Sequence, residues 1–560
     1  MSSYSKSKLK TSYYHRESTQ PMLRKTFHEL QDKNARCFPD RDAFVFCESG
    51  VRISVKQFVD ETNQLACDLV KLGLKPGERV CLWMGDGYEW MLLNSAAIRA
   101  GLITIELAEL QSADRLRHII NKTECSVLFV GFSQYDQYKK LIQVTPDIKS
   151  ATSTLSYVPS LRNIVTFDDD CPLLGCSIVM HAKQLQGRCG AEEDEFIQTL
   201  KNKVSVDDPY IITFISGSTG YPKPVVRTQR ANIANLYASK RNAAANDGSI
   251  IKVLKLAGLG SYCHIYQTML LTWGATLVWP RPTEDFSGAL EAVEQEQCNF
   301  VVLFPQFLSQ AVNQQNITSF DLSSLKRCWC TGNVFSEGNI LNAIKLLCPN
   351  TVVMYGSNQV QDISIGDIMD TVENRIRVKT QVIHNCEVKI TDTHRNIVPV
   401  NTRGEIWVRG PYLFQCYYGD RERTEKVKDA CGWYYTGDLG QMEEDGRLVI
   451  LGRKDDMIIK GTLNVYPAEI TNHLGNHPKL KDAHVVPVPG EKLVNEICLC
   501  LVLKEKSTCT MDEMLEFLAG KVSPLRNPRY FLFFTNIPTM GLKVNRKAII
   551  KEAVERLGLS

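Results

Sequence analysis

Up to about Leu451 the chain alternates between two hydrophobic periods. Val55, Phe58, Val59, Leu65, Ala66 and Leu69 recur at helical spacing behind Ser54, a side chain suited to an N-cap, and Gly73 marks the stop. Short runs rich in β-branched and aromatic residues predict strands at 79–84, 126–130, 210–215, 275–279, 300–304 and 351–354. Helical stretches separate many of these runs, which predicts an α/β fold with mostly parallel sheets flanked by helices. Residues 145–204 carry little pattern and read as long connections.

The pattern changes after the turn dipeptide Asp445-Gly446. Short strands are predicted at 448–451 and 457–459, and a helix at 467–473. Thr510 and Glu513 form a capping box ahead of an apolar helical run, and a final basic helix is predicted over 544–557. This part reads as a small α+β unit.

Composition narrows the function classes. With 560 residues the chain exceeds the roughly 250–300 residues at which a single core stops growing, so more than one domain is expected. Lys+Arg 65 against Asp+Glu 62 leaves a formal charge of +3, which offers no footprint for nucleic acid or an anionic membrane. No run approaches the roughly 18 consecutive apolar residues of a membrane span. Cys81, Cys328, Cys498 and Cys500 sit in apolar runs and read as reduced core thiols of an intracellular protein. The C-x-C pairs are not zinc knuckles, and Gly475 and Pro478 break the helix that a His473/His477 metal pair would need. The basic, hydroxyl-rich opening is faintly like a transit peptide but reads better as a solvated tail. A cytoplasmic location is therefore favoured, with a mitochondrial one as alternative. The expected partner is a small molecule.

The chemistry concentrates in YIITFISGSTGYPKPVVRT, residues 210–228. A strand-like run ends in a loop where Gly217 and Gly220 let backbone N–H groups converge, Ser216, Ser218 and Thr219 add hydroxyls, and Lys223 adds a point charge. Such a loop suits phosphate. Tyr221 and Pro222 between Gly220 and Lys223 exclude a Walker A loop. A second stretch, GWYYTGDLGQMEEDGRLVILGRKDDMIIKGTLNVYPAEI, begins at Gly432.

Together with YGSNQ at Tyr355 and a late lysine, Lys543, these ordered motifs resemble the adenylate-forming superfamily of acyl-CoA synthetases, aryl-CoA ligases, luciferases and peptide-synthetase adenylation domains. DMIIKGTLNVYPAEI, HPKLKDAHVVPVPG, EICLCLVL and SYYHRESTQP are most similar to the mitochondrial medium-chain acyl-CoA synthetases. The resemblance implies a flexible tail at 1–11, a large N-terminal adenylation domain at 12–452, and a small mobile C-terminal domain at 453–560 with its hinge at 453–456. It further implies a ligase that uses ATP, Mg²⁺ and coenzyme A to convert a fatty or other apolar carboxylate through an acyl-adenylate into a thioester.

On that resemblance, Ile215, Ser216, Gly217, Ser218, Thr219, Gly220, Tyr221, Pro222 and Lys223 grip the ATP phosphates. Gly332, Asn333, Tyr355, Gly356, Ser357 and Asn358 border the adenosine, and Asp438 accepts hydrogen bonds from the ribose. Arg453 meets the ribose or phosphate from the hinge side, and Asp455 is the hinge residue. Lys543 bridges carboxylate and α-phosphate, with Lys223 as the second catalytic cation. Lys460, Gly461 and Glu469 shape the coenzyme A passage, and Gln359 is a weak metal ligand.

Four departures stand out. Asn358-Gln359 replaces the usual Thr-Glu, Asn333 replaces an Ala, Leu542 precedes Lys543 where Gly is usual, and LKLAGLGS occupies the place of the acyl-gating histidine. They keep two alternatives open: an adenylating ligase or luciferase-like enzyme without coenzyme A transfer, and a nucleotide-binding pseudoenzyme.

Overall fold

The computed structural model describes residues 8–107, 112–131, 137–185, 191–215, 222–243, 251–256, 263–283, 285–332, 335, 337–460, 463–475, 477–490, 495–540 and 543–559. The predicted local signals are realised closely. Ser54 caps the helix Val55–Lys71 by accepting from the Gln57 N–H, and Val55, Phe58, Val59, Ala66 and Leu69 are buried along its inner stripe. The strand Arg79–Met84 has the predicted bounds.

Strands separated by helices run parallel, because each crossover helix returns the chain to the same end of the sheet. In a fourteen-stranded sheet, Asp42–Phe46, Thr276–Trp279, Lys252–Leu254, Phe300–Leu303, Arg327–Cys330 and Thr351–Ser357 form the parallel part. An eight-stranded sheet holds Pro209–Ile215, Ile103–Glu106, Arg79–Met84 and Val127–Gly131 in parallel. The larger sheet then continues antiparallel from Thr351–Ser357 through Gln361–Ile365 and Lys379–Val382 to Leu448–Arg453 and Tyr434–Met442. The sheets are thus mixed rather than parallel throughout: past Ser357 hairpin turns largely replace crossover helices. Residues 145–204 also depart from the expected long connections, since Asn163–Thr166 and Val179–His181 extend the eight-stranded sheet and Ala191–Lys201 is helical. Strands this short leave almost no periodicity to read.

Beyond Arg453 the described strands pair only with one another. Leu480–Pro489, Asn495–Leu503 and Tyr530–Phe534 make a three-stranded sheet, covered by the helix Ala468–Leu474 on one side and Arg546–Leu557 on the other, and two hydrophobic clusters draw only on this part of the chain. The Thr510/Glu513 capping box is present. The last helix begins later than predicted: Val544 belongs to the strand Lys543–Val544, and the Asn545 side chain caps the helix by accepting from the Ala548 N–H. His477 packs its ring against Phe517 at 4.6 Å, a packing role. Cys81, Cys328, Cys498 and Cys500 are buried free thiols, whereas Cys67 is disulfide-bonded. Among the described residues no helix is long and apolar enough to cross a membrane.

Candidate functional site

The antiparallel register between Tyr434–Met442 and Leu448–Arg453 sets Asp438 opposite Arg453. Gly437, at φ +76°, turns the backbone so that the guanidinium can lie over it; a Cβ there would stand 3.1 Å from Arg453 Nη2. Thr436 fixes the bend, its hydroxyl donating to the Ile406 carbonyl at 2.9 Å and accepting from the Asp438 N–H at 3.0 Å. Arg453 Nη1 donates to Asp438 Oδ1 at 3.0 Å and to the Thr436 carbonyl at 2.9 Å, while the Tyr355 hydroxyl donates to Asp438 Oδ2 at 2.6 Å. Burial pushes the Asp438 carboxyl above its ordinary range, a shift that Arg453 and Tyr355 partly offset. The Asp438 side chain is 10% exposed and that of Arg453 53%, so the pair presents a buried acceptor with a cation open to solvent.

Tyr355, Gly356 and Ser357 end the strand that supplies the tyrosine, next to Asn358 and Gln359. Gly356 is obligatory here, because a Cβ would fall 1.8 Å from the Gln361 carbonyl oxygen. Buried Arg227 anchors this turn from behind, donating to the Asn358 carbonyl at 2.8 Å and the Tyr412 carbonyl at 3.3 Å, with Asn232 as a further partner. Burial lowers its guanidinium to about 10. Gln359 is buried and donates its amide to the Tyr417 hydroxyl at 3.2 Å. Gly332, at φ +98°, lies so near Phe304 that a Cβ would meet the ring at 2.5 Å.

Ile215 and Lys223 pair across the hairpin that carries the serine- and glycine-rich loop. Burial, then Arg423 and Arg453, lower the Lys223 ammonium below its usual value, with Asp455 and Asp420 pulling the other way. Residues 216–221, and with them Ser216, Gly217, Ser218, Thr219, Gly220 and Tyr221, lie outside the described residues, as do Asn333 and Gly461 and the Lys543 side chain. One cavity of about 1700 Å³ is bordered by Ile215, Pro222, Gly332, Tyr355, Asp438 and Arg453, together with Ser357, Asn358 and Gln359. Thr539 and Val544 border it too, on the hairpin where Met540 pairs with Lys543.

The other predicted residues are less central. Asp455 is exposed in the short 3-10 turn Lys454–Asp456. Lys460 is held by Glu496 at 3.2 Å and the Asn527 carbonyl at 3.3 Å, away from the cavity wall. Glu469 does border the cavity, and pairs with Arg403 at 2.7 Å and Arg526 at 3.5 Å. Together with Lys454 on Glu405, Arg403 ties the C-terminal part to the strand Gly404–Arg409 and its approach. Asp456 and Arg546, an ion pair at 3.2 Å, both border the same cavity.

Pattern reading missed Arg227 and the pair of Lys255 with Asp86 on the cavity wall; His264, which lies several residues past the expected place of the acyl-gating histidine, pairs there with buried Glu106 at 2.8 Å. Arg227 had one signal, a charge standing inside the apolar strand run KPVVRT. Among the described residues no cluster of three or more His, Cys, Asp or Glu could hold a metal ion.

Comparison with known proteins places the whole chain. The family model described as AMP-binding enzyme matches residues 31–418. The mitochondrial medium-chain acyl-CoA ligase of Danio rerio is 28% identical over 98% of this chain and 92% of its own length. The anthranilate CoA ligase solved with anthranoyl-AMP shares the fold with a TM-score of 0.78, at 18% identity over 97% of this chain and 99% of its own. The amide bond synthetase of Marinactinospora thermotolerans does so with a TM-score of 0.77, at 20% identity over 95% and 100%. A family match over more than half of the chain, together with a fold common to these solved structures, leads to one conclusion: the chain belongs to the AMP-binding enzyme family.

Proposed function

We propose that this protein is an AMP-forming acyl-CoA synthetase, an acid–thiol ligase that activates an organic carboxylate with ATP and passes the acyl group to coenzyme A. The observation that carries the reading is the Tyr355–Asp438–Arg453 cluster on the wall of a cavity that also receives both ends of the phosphate-type loop. The acyl-CoA ligases among its relatives support the same reaction.

The physical problem is to bring two anions together, so positioning and fixed positive potential must supply most of the rate. Asp438 accepts the ribose hydroxyls, while Tyr355 holds its second oxygen and keeps the carboxylate oriented. The 216–221 loop and Lys223 steady the β- and γ-phosphates. Arg453 screens the ribose and phosphate side. Lys543 bridges the carboxylate oxygen and the α-phosphate, and pyrophosphate leaves. Residues 453–560 then act as a mobile small domain turning about Asp455, so that the thiol of coenzyme A displaces AMP. In that second arrangement Glu469 and Lys460 border the thiol's approach.

The residues present fit a protein-held Mg²⁺ poorly. Gln359 can offer one neutral oxygen, its amide is engaged by Tyr417, and a hard cation prefers carboxylate and phosphate oxygens. Mg²⁺ would therefore arrive as the counter-ion of ATP itself. The mitochondrial address of the relatives favours that organelle over the cytoplasm.

A second reading, adenylation followed by transfer to an amine, draws support from the shared fold of the amide bond synthetase. Carboxylate-dependent ATP/pyrophosphate exchange, followed by coenzyme A-dependent AMP release, tests the proposal. Exchange without coenzyme A-dependent release would favour the amine-type ligase. Bound ATP with no exchange across a broad acid panel would make the protein a nucleotide-binding pseudoenzyme.

A further inference from the structure

One cation on the cavity wall stands without a counter-charge. Arg115 lies in the first turn of the helix Ala113–Thr123, which the Ser112 side chain caps by accepting from the Arg115 N–H. Arg115 is half-buried, its Nε is closed off from solvent with no acceptor, and among the described residues its guanidinium has no hydrogen bond and no ion pair. The described carboxylates nearest along the chain are engaged elsewhere: Asp114 with Arg117 at 3.7 Å, and Glu106 with His264 at 2.8 Å.

Its surroundings belong to the hairpin of the phosphate-type loop. Glu106 and Thr213 are paired in parallel strands, so Leu107 and Phe214 leave the sheet side by side, at the carboxyl ends of strands where open α/β sheets take their ligands. Leu116 and Ile119 pack the helix into one apolar cluster with Leu107 and Phe214. Arg115 and Ile119, one turn apart on one helix face, border the same cavity as Phe214, Ile215 and Pro222. Ile215 and Pro222 are the described residues at the two ends of the serine- and glycine-rich loop.

A guanidinium drawn partly out of water is ordinarily paired. Packing does not call for a charge here, since a methionine would cover the same helix face at nearly the same helix propensity. What arginine adds is a planar fork that holds a carboxylate or a phosphate through two hydrogen bonds at once. Beside a loop suited to phosphate, the second is the ligand that fits. We propose that Arg115 is a phosphate-binding residue of this cavity and takes a phosphoanhydride group, either the β- and γ-phosphates of ATP or the diphosphate of coenzyme A. This rests on the acyl-CoA synthetase reading above, and sets a further cation beside the loop that ends at Lys223.

The test is calorimetric titration of the full-length protein, as wild type, Arg115→Met and Arg115→Lys, with MgATP, inorganic pyrophosphate, AMP, coenzyme A and a medium-chain alkanoate, each alone. Loss of a bidentate charged contact should weaken the phosphate ligand about tenfold or more in Arg115→Met. Arg115→Lys should recover part of that loss, because an ammonium keeps the charge and gives up the fork. If ATP supplies the group, MgATP and pyrophosphate weaken while AMP and coenzyme A hold; if coenzyme A supplies it, coenzyme A alone weakens. Unchanged affinity for every phosphate ligand, in a variant that melts with the wild type, would overturn the proposal. So would weakening confined to the alkanoate, or AMP losing as much as MgATP, the mark of a generally distorted site. Arg115→Gln, neutral and compatible with the helix, gives the same reading should Arg115→Met not fold. None of these affinities depends on turnover: a protein that binds MgATP through Arg115 yet shows no carboxylate-dependent exchange refutes the synthetase reading and leaves the phosphate contact standing.

Discussion

Asp438 and Tyr355 lie 83 positions apart and meet through a 2.6 Å hydrogen bond, on the face of Asp438 opposite Arg453. The tyrosine and the arginine thus occupy one oxygen each, and orient a carboxylate that burial would otherwise favour as the neutral acid. The Asp438→Asn variant keeps the shape and removes the charge. It is expected to weaken ATP binding by about 2 kcal/mol, roughly thirtyfold, the scale of a hydrogen bond to a charged group. Nucleotide titration checks this, and an unchanged affinity would move the ribose elsewhere.

The Gly356→Ala variant tests the turn that supplies Tyr355. A methyl group would sit 1.8 Å from the Gln361 carbonyl, a backbone atom that cannot rotate aside. Overpacking of this kind costs about 1–3 kcal/mol and occasionally more, so a lower melting temperature is expected together with weaker ATP binding. A variant as stable and as tight as the wild type would mean that the Gln361 backbone moves freely.

The Gln359→Glu variant tests whether position 359, on the cavity wall, faces the Mg²⁺–ATP that the proposed reaction uses. Restoring a carboxylate should lower the Mg²⁺ concentration for half-maximal exchange by an amount on the order of 1 kcal/mol, roughly fivefold, because ionised acceptors bind about twice as strongly as neutral ones. Titration of Mg²⁺ at fixed ATP measures it. No shift would show that position 359 stays turned toward Tyr417 and away from the nucleotide.

Features set by nearby residues were legible in the sequence. The Ser54 cap, the strand 79–84 and the Thr510/Glu513 box each depend on side chains a few positions apart, and each is present. Asp438 and Arg453 could be singled out because they belong to local motifs that the hairpin itself brings face to face. The antiparallel half of the large sheet was not legible, because its pairing is decided between distant strands. The same limit hid Arg227, whose contact with Asn358 spans 131 positions, and Lys255, whose contact with Asp86 spans 169. The one local signal, the charge of Arg227 inside an apolar strand run, does not by itself mark a buried group, because a lone charge between apolar neighbours is ordinarily a solvated one.

Two buried titratable groups should make the pH dependence of stability a difference of opposing terms. Burial, helped by the nearby Arg99 charge, lowers the His28 imidazole from 6.5 to about 4, with its Nε2 3.2 Å from the Lys201 carbonyl oxygen. A histidine depressed on folding contributes stability that is complete above the unfolded value of 6.5 and is lost as pH falls toward 4; over that span the loss amounts to about 3 kcal/mol. Asp362 acts in the other direction. Burial raises it from 3.8 to about 6, against the Ser239 hydroxyl at 2.7 Å and the Arg227 charge, so folding favours its neutral acid. Acidification from 6 toward 3.8 therefore restores stability there, by a similar amount of about 3 kcal/mol. The two terms nearly cancel in the wild type, and single variants uncover each. Urea midpoints measured near pH 7 and about pH 4 should show His28→Gln gaining stability on acidification relative to wild type, and Asp362→Asn losing it. If both variants shifted in the same direction, one of the two groups would have to be charged in the folded state, and the burial argument for it would fail.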